Sequence, residues 1–506
     1  MTAVPCYSDV VVRSLPDHKA RVCLIYTGGT IGSVPTDPHN PESMNLRPAS
    51  LDDLLAAVPR LGQEQEIELG LVSFVDPADS SHIFKEHWLA IASIIEEHYS
   101  SFDGFVVLHG TDTMAFTTSA LSFLLNNLAK PVVVTGSQLP ITNRRGDGVM
   151  NLMSAVQIAG YKATGLPLVP EVSLCFMDRL LRGNRATKVS SESWHGFDSP
   201  NFPWLATIGE RIKVRTDLIR KPGNGRNAPF FVDRELASEI KIIYVNPGLT
   251  PLQLKRDLST EGLEGVVLLT YGAGTMPSST TYLQLIHDAV DGTSEHGRPI
   301  PILNISQCLQ GTVEMRQYEA SGGLLEAGVA SGDNMTLEAA VAKMYWALRR
   351  FKTDTVRDQL QLSHRGEQDR TLLNLHFPVD QNETEGAVTV EPPTQTLRGR
   401  FDSHRLTSAS LRIKALAVRA IKEDEPFAFR IFLNRPGAGL GTPLSLPACI
   451  GEFGPERIAA DGTFVHSITG KAADVLDNGP TSVTLVGVNA TLSLQSLHLA
   501  LYLDAS

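Results

Sequence analysis

The sequence predicts an α/β fold in two parts, a large N-terminal domain built on a parallel sheet and a smaller α/β domain, followed by an all-β, sandwich-like C-terminal module. Three observations predict it. Short, near-continuous apolar runs alternate with helix-length stretches up to about residue 365, which is the pattern of strands buried on both faces. The alternation is interrupted once, around residues 220–230, and then resumes. Further on the apolar period falls to two, as in an antiparallel sandwich with one dry and one wet face per strand.

In chain order, RVCLIY (21–26), GFVVL (104–108), PVVVT (131–135) and VSLCF (172–176) read as buried strands, with helices expected over 83–99 and 117–128. RKPGNGRNAPF (220–230) is a Pro/Gly/Asn-rich linker or surface loop. KIIYV (241–245), GVVLL (265–269) and IPILNI (300–305) are strands of the same buried kind, and TLEAAVAKMYWALRRF (336–351) is an amphipathic helix. LRIKALAV (411–418), FAFRIFL (427–433), SVTLVGV (482–488) and LSLQSLHLALYL (492–503) supply the period-two strands. The expected domains are 1–212 and 232–365, then a polar linker over 366–400 and the β module over 401–506.

Composition narrows the function classes. With 42% hydrophobic and 20% charged residues the chain is an ordinary globular protein. Its 44 basic against 55 acidic residues give a net charge of −11, which argues against a nucleic-acid backbone or an anionic membrane as the main partner. The first twenty residues lack the basic start and apolar core of a secretory signal, and no apolar run is long enough to span a bilayer, so a cytoplasmic protein is expected. Cys6, Cys23, Cys175, Cys308 and Cys449 are scattered without a CxxC pair, which fits reduced thiols rather than a disulfide framework or a zinc site. His466 and His498 are too isolated to be ligands.

Two strand ends carry chemistry. The first buried run leads into TGGTIG (27–32), whose glycines bracket Thr30. Such a turn could cradle a phosphate, present a hydroxyl nucleophile, or simply turn the chain, although it matches neither GxGxxG nor GxxxxGK[ST]. The second is HGTDTM (109–114), which offers Thr111 and Asp112 at the start of a helix, where Asp also serves as an ordinary cap. In a parallel sheet both ends emerge on one edge, so Thr30 and Thr111 can face one pocket.

These two motifs, about eighty residues apart, resemble the signature pair of the bacterial-type L-asparaginases, and the chain is most similar to the cytoplasmic type I branch. The likeness covers roughly residues 20–360 and extends to DSS (79–81), KPVVVTGSQLP (130–140), the GD ahead of VMNL (146–152) and RGNRATK (182–188). It implies hydrolysis of L-asparagine through an acyl-enzyme, with no metal or cofactor, in a homodimer or homotetramer whose sites are completed by a neighbouring subunit. Thr30 is then the nucleophile, and Thr111, Asp112 and Lys188 the group that accepts its proton, although Lys188 taken alone reads as a solvated lysine. Asp79 and Ser80 are implied to hold the α-amino and α-carboxylate groups, and backbone N–H groups around Gly29 and Gly110 to stabilise the oxyanion.

The sequence departs from the family in two places. The loop SVPTDPHNPESMNLRP (33–48) lacks the tyrosine that many members use to assist the nucleophile; Tyr318 is the candidate replacement, and reads equally well as a packing residue. Leu269 stands where the allosteric type I enzymes carry an arginine, although Cys308 matches that region. The alternatives are the asparaginase-like subunit of a Glu-tRNA amidotransferase and a non-catalytic amino-acid sensor on the same scaffold. The β module lies outside the likeness and carries no catalytic constellation.

Overall fold

The computed structural model describes residues 4–36, 46–59, 61, 66–221, 229–315, 319–377, 384–390, 406–414, 416–422, 425–459, 462–469, 475, 482–494 and 496–504. The chain divides into two compact units, Met1–Leu360 with His364–Gln368, and Gln361–Ser363 with Asp369–Ser506.

The first unit is organised by a nine-stranded sheet in the order Val11–Arg13, Ile67–Ser73, Ala20–Tyr26, Gly104–Leu108, Val132–Thr135, Val172–Phe176, Arg179–Arg182, Ala206–Ile208 and Ile212–Val214. The five strands from Ile67–Ser73 to Val172–Phe176 are parallel, and those at either edge are antiparallel. Continuous apolarity has the expected cause. Cys23, Ile25, Phe105 and Val107 face helix Lys85–His98 and helix Met114–Leu124, while Val22, Leu24, Val106 and Leu108 face the Leu152–Val156 side of helix Gly148–Ala159. The second helix starts three residues earlier than the sequence suggests, directly behind HGTDT.

Ile67–Ser73 was not among the expected strands, because Glu68 and Gly70 interrupt its apolar run. Both have local reasons. Glu68 is 4% exposed and accepts hydrogen bonds from Arg21 Nε at 2.6 Å and the Leu15 N–H at 3.1 Å. A Cβ at position 70 would lie 2.6 Å from the Phe102 ring.

The chain leaves Ala20–Tyr26 for Ile67–Ser73 on one side and then crosses to Gly104–Leu108 on the other. Ala20–Tyr26 therefore sits at a topological switch point, where the loops beyond the carboxyl ends diverge and leave a crevice. The three strands meeting there are followed by TGGT, DSS and HGTD.

The smaller α/β part is a parallel sheet of Ile240–Tyr244, Gly265–Thr270, Ile302–Ser306 and Ala330–Ser331. Helix Leu337–Arg350 joins it to the large sheet: Ala339, Met344 and Trp346 share one core with Phe123, and the Phe123 and Trp346 rings stack at 5.3 Å. Most of the expected linker at 220–230 lies outside the described residues.

The second unit is two antiparallel sheets. One orders Arg370–Phe377, Ser496–Asp504, Leu406–Lys414 and Phe464–Ser467; the other orders Thr384–Val390, Val483–Ser493, Ala428–Leu433 and Cys449–Phe453, with Ala417–Ala420 also on Val483–Ser493. Leu411, Ile413, Phe429, Ile431, Phe464, Leu485, Leu499 and Leu501 form its core. Three readings are corrected here. Arg370–Phe377 and Thr384–Val390 fall inside the stretch expected to be linker, and each pairs with a long strand of its sheet, so backbone hydrogen bonding outweighs their polar flanks. The run at 411–418 divides between strands of different sheets, and the break between the strands expected at 482–488 and 492–503 falls later, giving Val483–Ser493 and Ser496–Asp504. Among the described residues no helix is long and apolar enough to cross a membrane.

Candidate active site

Three glycines lock the three turns together at the switch point. Gly28 and Gly29 adopt φ of 129° and 80°, backbone that side chains with a Cβ rarely tolerate. A Cβ on Gly28 would lie 1.9 Å from the Ala78 carbonyl oxygen, one on Gly29 2.4 Å from Gly110 N, and one on Gly110 2.6 Å from Ser80 Oγ. Hydrogen bonds follow the same path. Thr27 Oγ1 donates to the Leu108 carbonyl at 3.0 Å, the Ala78 N–H to the Thr27 carbonyl at 3.0 Å, the Asp112 N–H to Ser80 Oγ at 3.2 Å, and Thr113 Oγ1 to the Ser80 carbonyl at 2.7 Å. Thr30 and Thr111 thus follow glycines in direct contact with each other.

Their hydroxyls differ. Lys188 Nζ donates to Thr111 Oγ1 at 2.8 Å and lies 2.8 Å from Asp112 Oδ1. The lysine side chain is 20% exposed and the aspartate 61%, so the carboxylate keeps a face open to a ligand. Thr30 is half-buried at the start of a single 3₁₀ turn, Thr30–Gly32. Among the described residues neither the Thr30 hydroxyl nor the Thr111 N–H has a hydrogen-bond partner.

Asp79 is exposed and caps its own turn, accepting from Ser81 Oγ at 2.6 Å and the Ser81 N–H at 2.9 Å. The serine hydroxyl, then the N–H, hold its carboxyl below the usual carboxylate range. Ser80 is buried, and its hydroxyl oxygen serves the Asp112 N–H, tying two turns together. Tyr318 lies outside the described residues.

Sequence reasoning quoted His109 and Asp147 inside motifs without giving either a task. Trp88 Nε1 donates to Thr117 Oγ1 at 3.2 Å, which stands 2.9 Å from His109 Nε2, and His109 Nδ1 lies 2.7 Å from the Gly110 carbonyl. With the indole donating to Thr117, the network assigns the Nδ1–H tautomer, and complete burial pushes the ring down to about 4. Asp147 accepts from the Gln138 N–H at 3.0 Å and from Asn151 Nδ2 at 3.0 Å, shaping the GSQLP loop, and burial raises its carboxyl. The signal available was an imidazole directly behind an apolar strand for His109 and a carboxylate directly ahead of a helix for Asp147.

Residues 21–220 match the family model described as "Asparaginase, N-terminal", and residues 239–360 match the "Glutaminase/Asparaginase C-terminal domain". The chain is 36% identical over 352 residues to L-asparaginase 1 of Escherichia coli (strain K12), covering 69% of this chain and 98% of that one. The chain belongs to the asparaginase family. It is also 36% identical over 388 residues to the 60 kDa lysophospholipase of Homo sapiens, covering 73% of this chain and 65% of the human one. Among solved asparaginases, L-asparaginase I of Vibrio cholerae superposes with a TM-score of 0.60 at 33% identity, covering 69% of this chain and 99% of that one.

Proposed function

We propose that this chain is an L-asparaginase, hydrolysing L-asparagine to L-aspartate and ammonia through an ester on Thr30. The observation that carries the reading is Lys188 Nζ, 2.8 Å from both Thr111 Oγ1 and Asp112 Oδ1, on the turn that contacts the one bearing the Thr30 hydroxyl. Thr30 Oγ1 attacks the side-chain amide carbon; its proton passes to the Thr111–Lys188–Asp112 group, which returns a proton to the departing ammonia. Water then attacks the ester, its proton follows the same route back to Thr30, and aspartate leaves.

The unpartnered Thr111 N–H is suited to the developing oxyanion, a contact worth about 3 kcal/mol where such donors have been removed from other enzymes. The open face of Asp112 and the exposed Asp79 carboxylate suit the substrate's α-ammonium. The same reading makes the protein a cytoplasmic homodimer or homotetramer. Ammonia release from L-asparagine by the wild type, abolished by Thr30→Ala and strongly reduced by Thr111→Val, is the test. A wild type that binds asparagine tightly and releases no ammonia is an amino-acid sensor on this scaffold, and the reading fails.

A further inference from the structure

Lys188 stands on a strand of two residues, Thr187–Lys188, whose partner Phe197–Asp198 is as short. So brief a ladder fixes a side chain weakly on its own. The residues just before Lys188 are held from elsewhere. Asn184 Nδ2 donates to the Arg365 carbonyl at 3.1 Å, Arg185 Nε to the Gly366 carbonyl at 2.7 Å, Arg185 Nη1 to Asn334 Oδ1 at 2.9 Å, and Thr187 Oγ1 to Glu338 Oε1 at 2.8 Å. These donors are deeply buried, Asn184 and Arg185 at 1% and 2% exposure and Thr187 at 7%.

The acceptors are firm. Glu338 sits in the first turn of helix Leu337–Arg350, whose cap Thr336 accepts from the Ala339 N–H at 3.2 Å. The Arg365 and Gly366 carbonyls precede Glu367, which pairs with Lys343 at 2.8 Å, both side chains fully buried. Successive side chains of a strand point to opposite faces. Thr187 turned inward onto Glu338 therefore turns Lys188 outward, onto Thr111 and Asp112.

We propose that Thr187 is a positioning residue for the Lys188 base, its hydroxyl bond to Glu338 holding Nζ within reach of Thr111. The inference rests on the asparaginase reading above; Thr187 itself is buried on the opposite side of its strand from Thr111 and Asp112, and acts through Lys188.

The test uses the full-length chain. Thr187→Val removes the hydroxyl at nearly constant shape and is expected to lower kcat about tenfold with KM within about twofold, the signature of a misplaced reacting group. Thr187→Ser restores the hydroxyl and recovers kcat. Glu338→Gln keeps an acceptor oxygen and leaves kcat near wild type, Glu338→Leu reproduces the valine variant, and the double variant Thr187→Val/Glu338→Leu loses no more than the worse single one. Wild-type kcat in Thr187→Val, or equal impairment of the valine and serine variants, overturns the proposal. If Glu338→Leu fails to fold, the valine and serine pair decides alone. A wild type that releases no ammonia overturns the asparaginase reading itself, whereas an active wild type with an equally active valine variant overturns only this inference.

Discussion

In the first unit the strand Gly104–Leu108 runs into a fully buried histidine, a glycine in contact with another glycine, and a threonine held by a lysine. In the second unit the strand Ala428–Leu433 also buries its apolar side chains, with Phe429, Ile431 and Leu433 at 0% exposure, and it ends in a turn. The described buried polar residues of the second unit are Gln361, Ser482 and Thr484, while the first buries His109, Asp147, Asn151, Arg185, Glu338, Lys343 and Glu367, among others. Burying a polar group costs free energy unless it is bonded. Where such groups crowd together and are bonded, the fold is holding something in place besides itself; where they are scarce, packing alone explains the strands.

The contrast can be broken at either end. Thr30→Ala is expected to lower kcat about 10⁴-fold, equivalent to about 5.5 kcal/mol, while the thermal unfolding profile stays that of the wild type. Ammonia release measured beside calorimetry checks it, and a loss of activity that tracks a loss of folded protein defeats the assignment. Phe429→Ala is expected to destabilise the second unit by about 4 kcal/mol, since Phe429 is fully buried against Phe453 and Phe464. Faster hydrogen exchange along Val483–Ser493 reads that out.

The buried imidazole of His109 sets a smaller, pH-dependent effect. Its ring is held at about 4, below the value of 6.5 expected for it in the unfolded chain, so the unfolded state takes up the proton first. Stability is therefore complete above pH 6.5 and declines as the pH falls towards 4, by roughly 3 kcal/mol. His364, also pushed down to about 4 by burial, adds a second contribution of the same sign. His109→Gln, which can donate and accept at the same places, should flatten this limb in urea titrations between pH 4 and 7; an unchanged slope contradicts the buried neutral ring. Smallest is Asp79→Asn, expected to raise KM for L-asparagine about tenfold with a lesser effect on kcat, through loss of one charge facing the α-ammonium. Steady-state rates decide it.

The strands that carry Thr30 and Thr111 were legible because they are buried on both faces and leave unbroken apolar runs. Ile67–Ser73, which leads to Asp79, was not, because Glu68 is satisfied by Arg21 and Leu15, partners that local sequence cannot display. In the second unit Arg370–Phe377 was obscured for a related reason: its pairing partner, Ser496–Asp504, lies at the far end of the chain. At the site, glycine and hydroxyl spacing pointed to the turns, and the family likeness pointed to Lys188. The anchoring of Thr187 on Glu338 was invisible, since an amphipathic helix and a threonine look ordinary until the fold joins them.

The cluster around Thr30 draws on four separate stretches of chain, at 28–30, 79–80, 110–112 and 188, and the last is steadied by residues at 334, 338, 365 and 366. Contacts so distant in sequence close late during folding, after the loops between them have lost their entropy. No nascent chain still missing residue 366 has all of these anchors. During refolding, the return of ammonia release should therefore lag behind the return of helical signal, making the enzyme its own clock for the final docking of the chain.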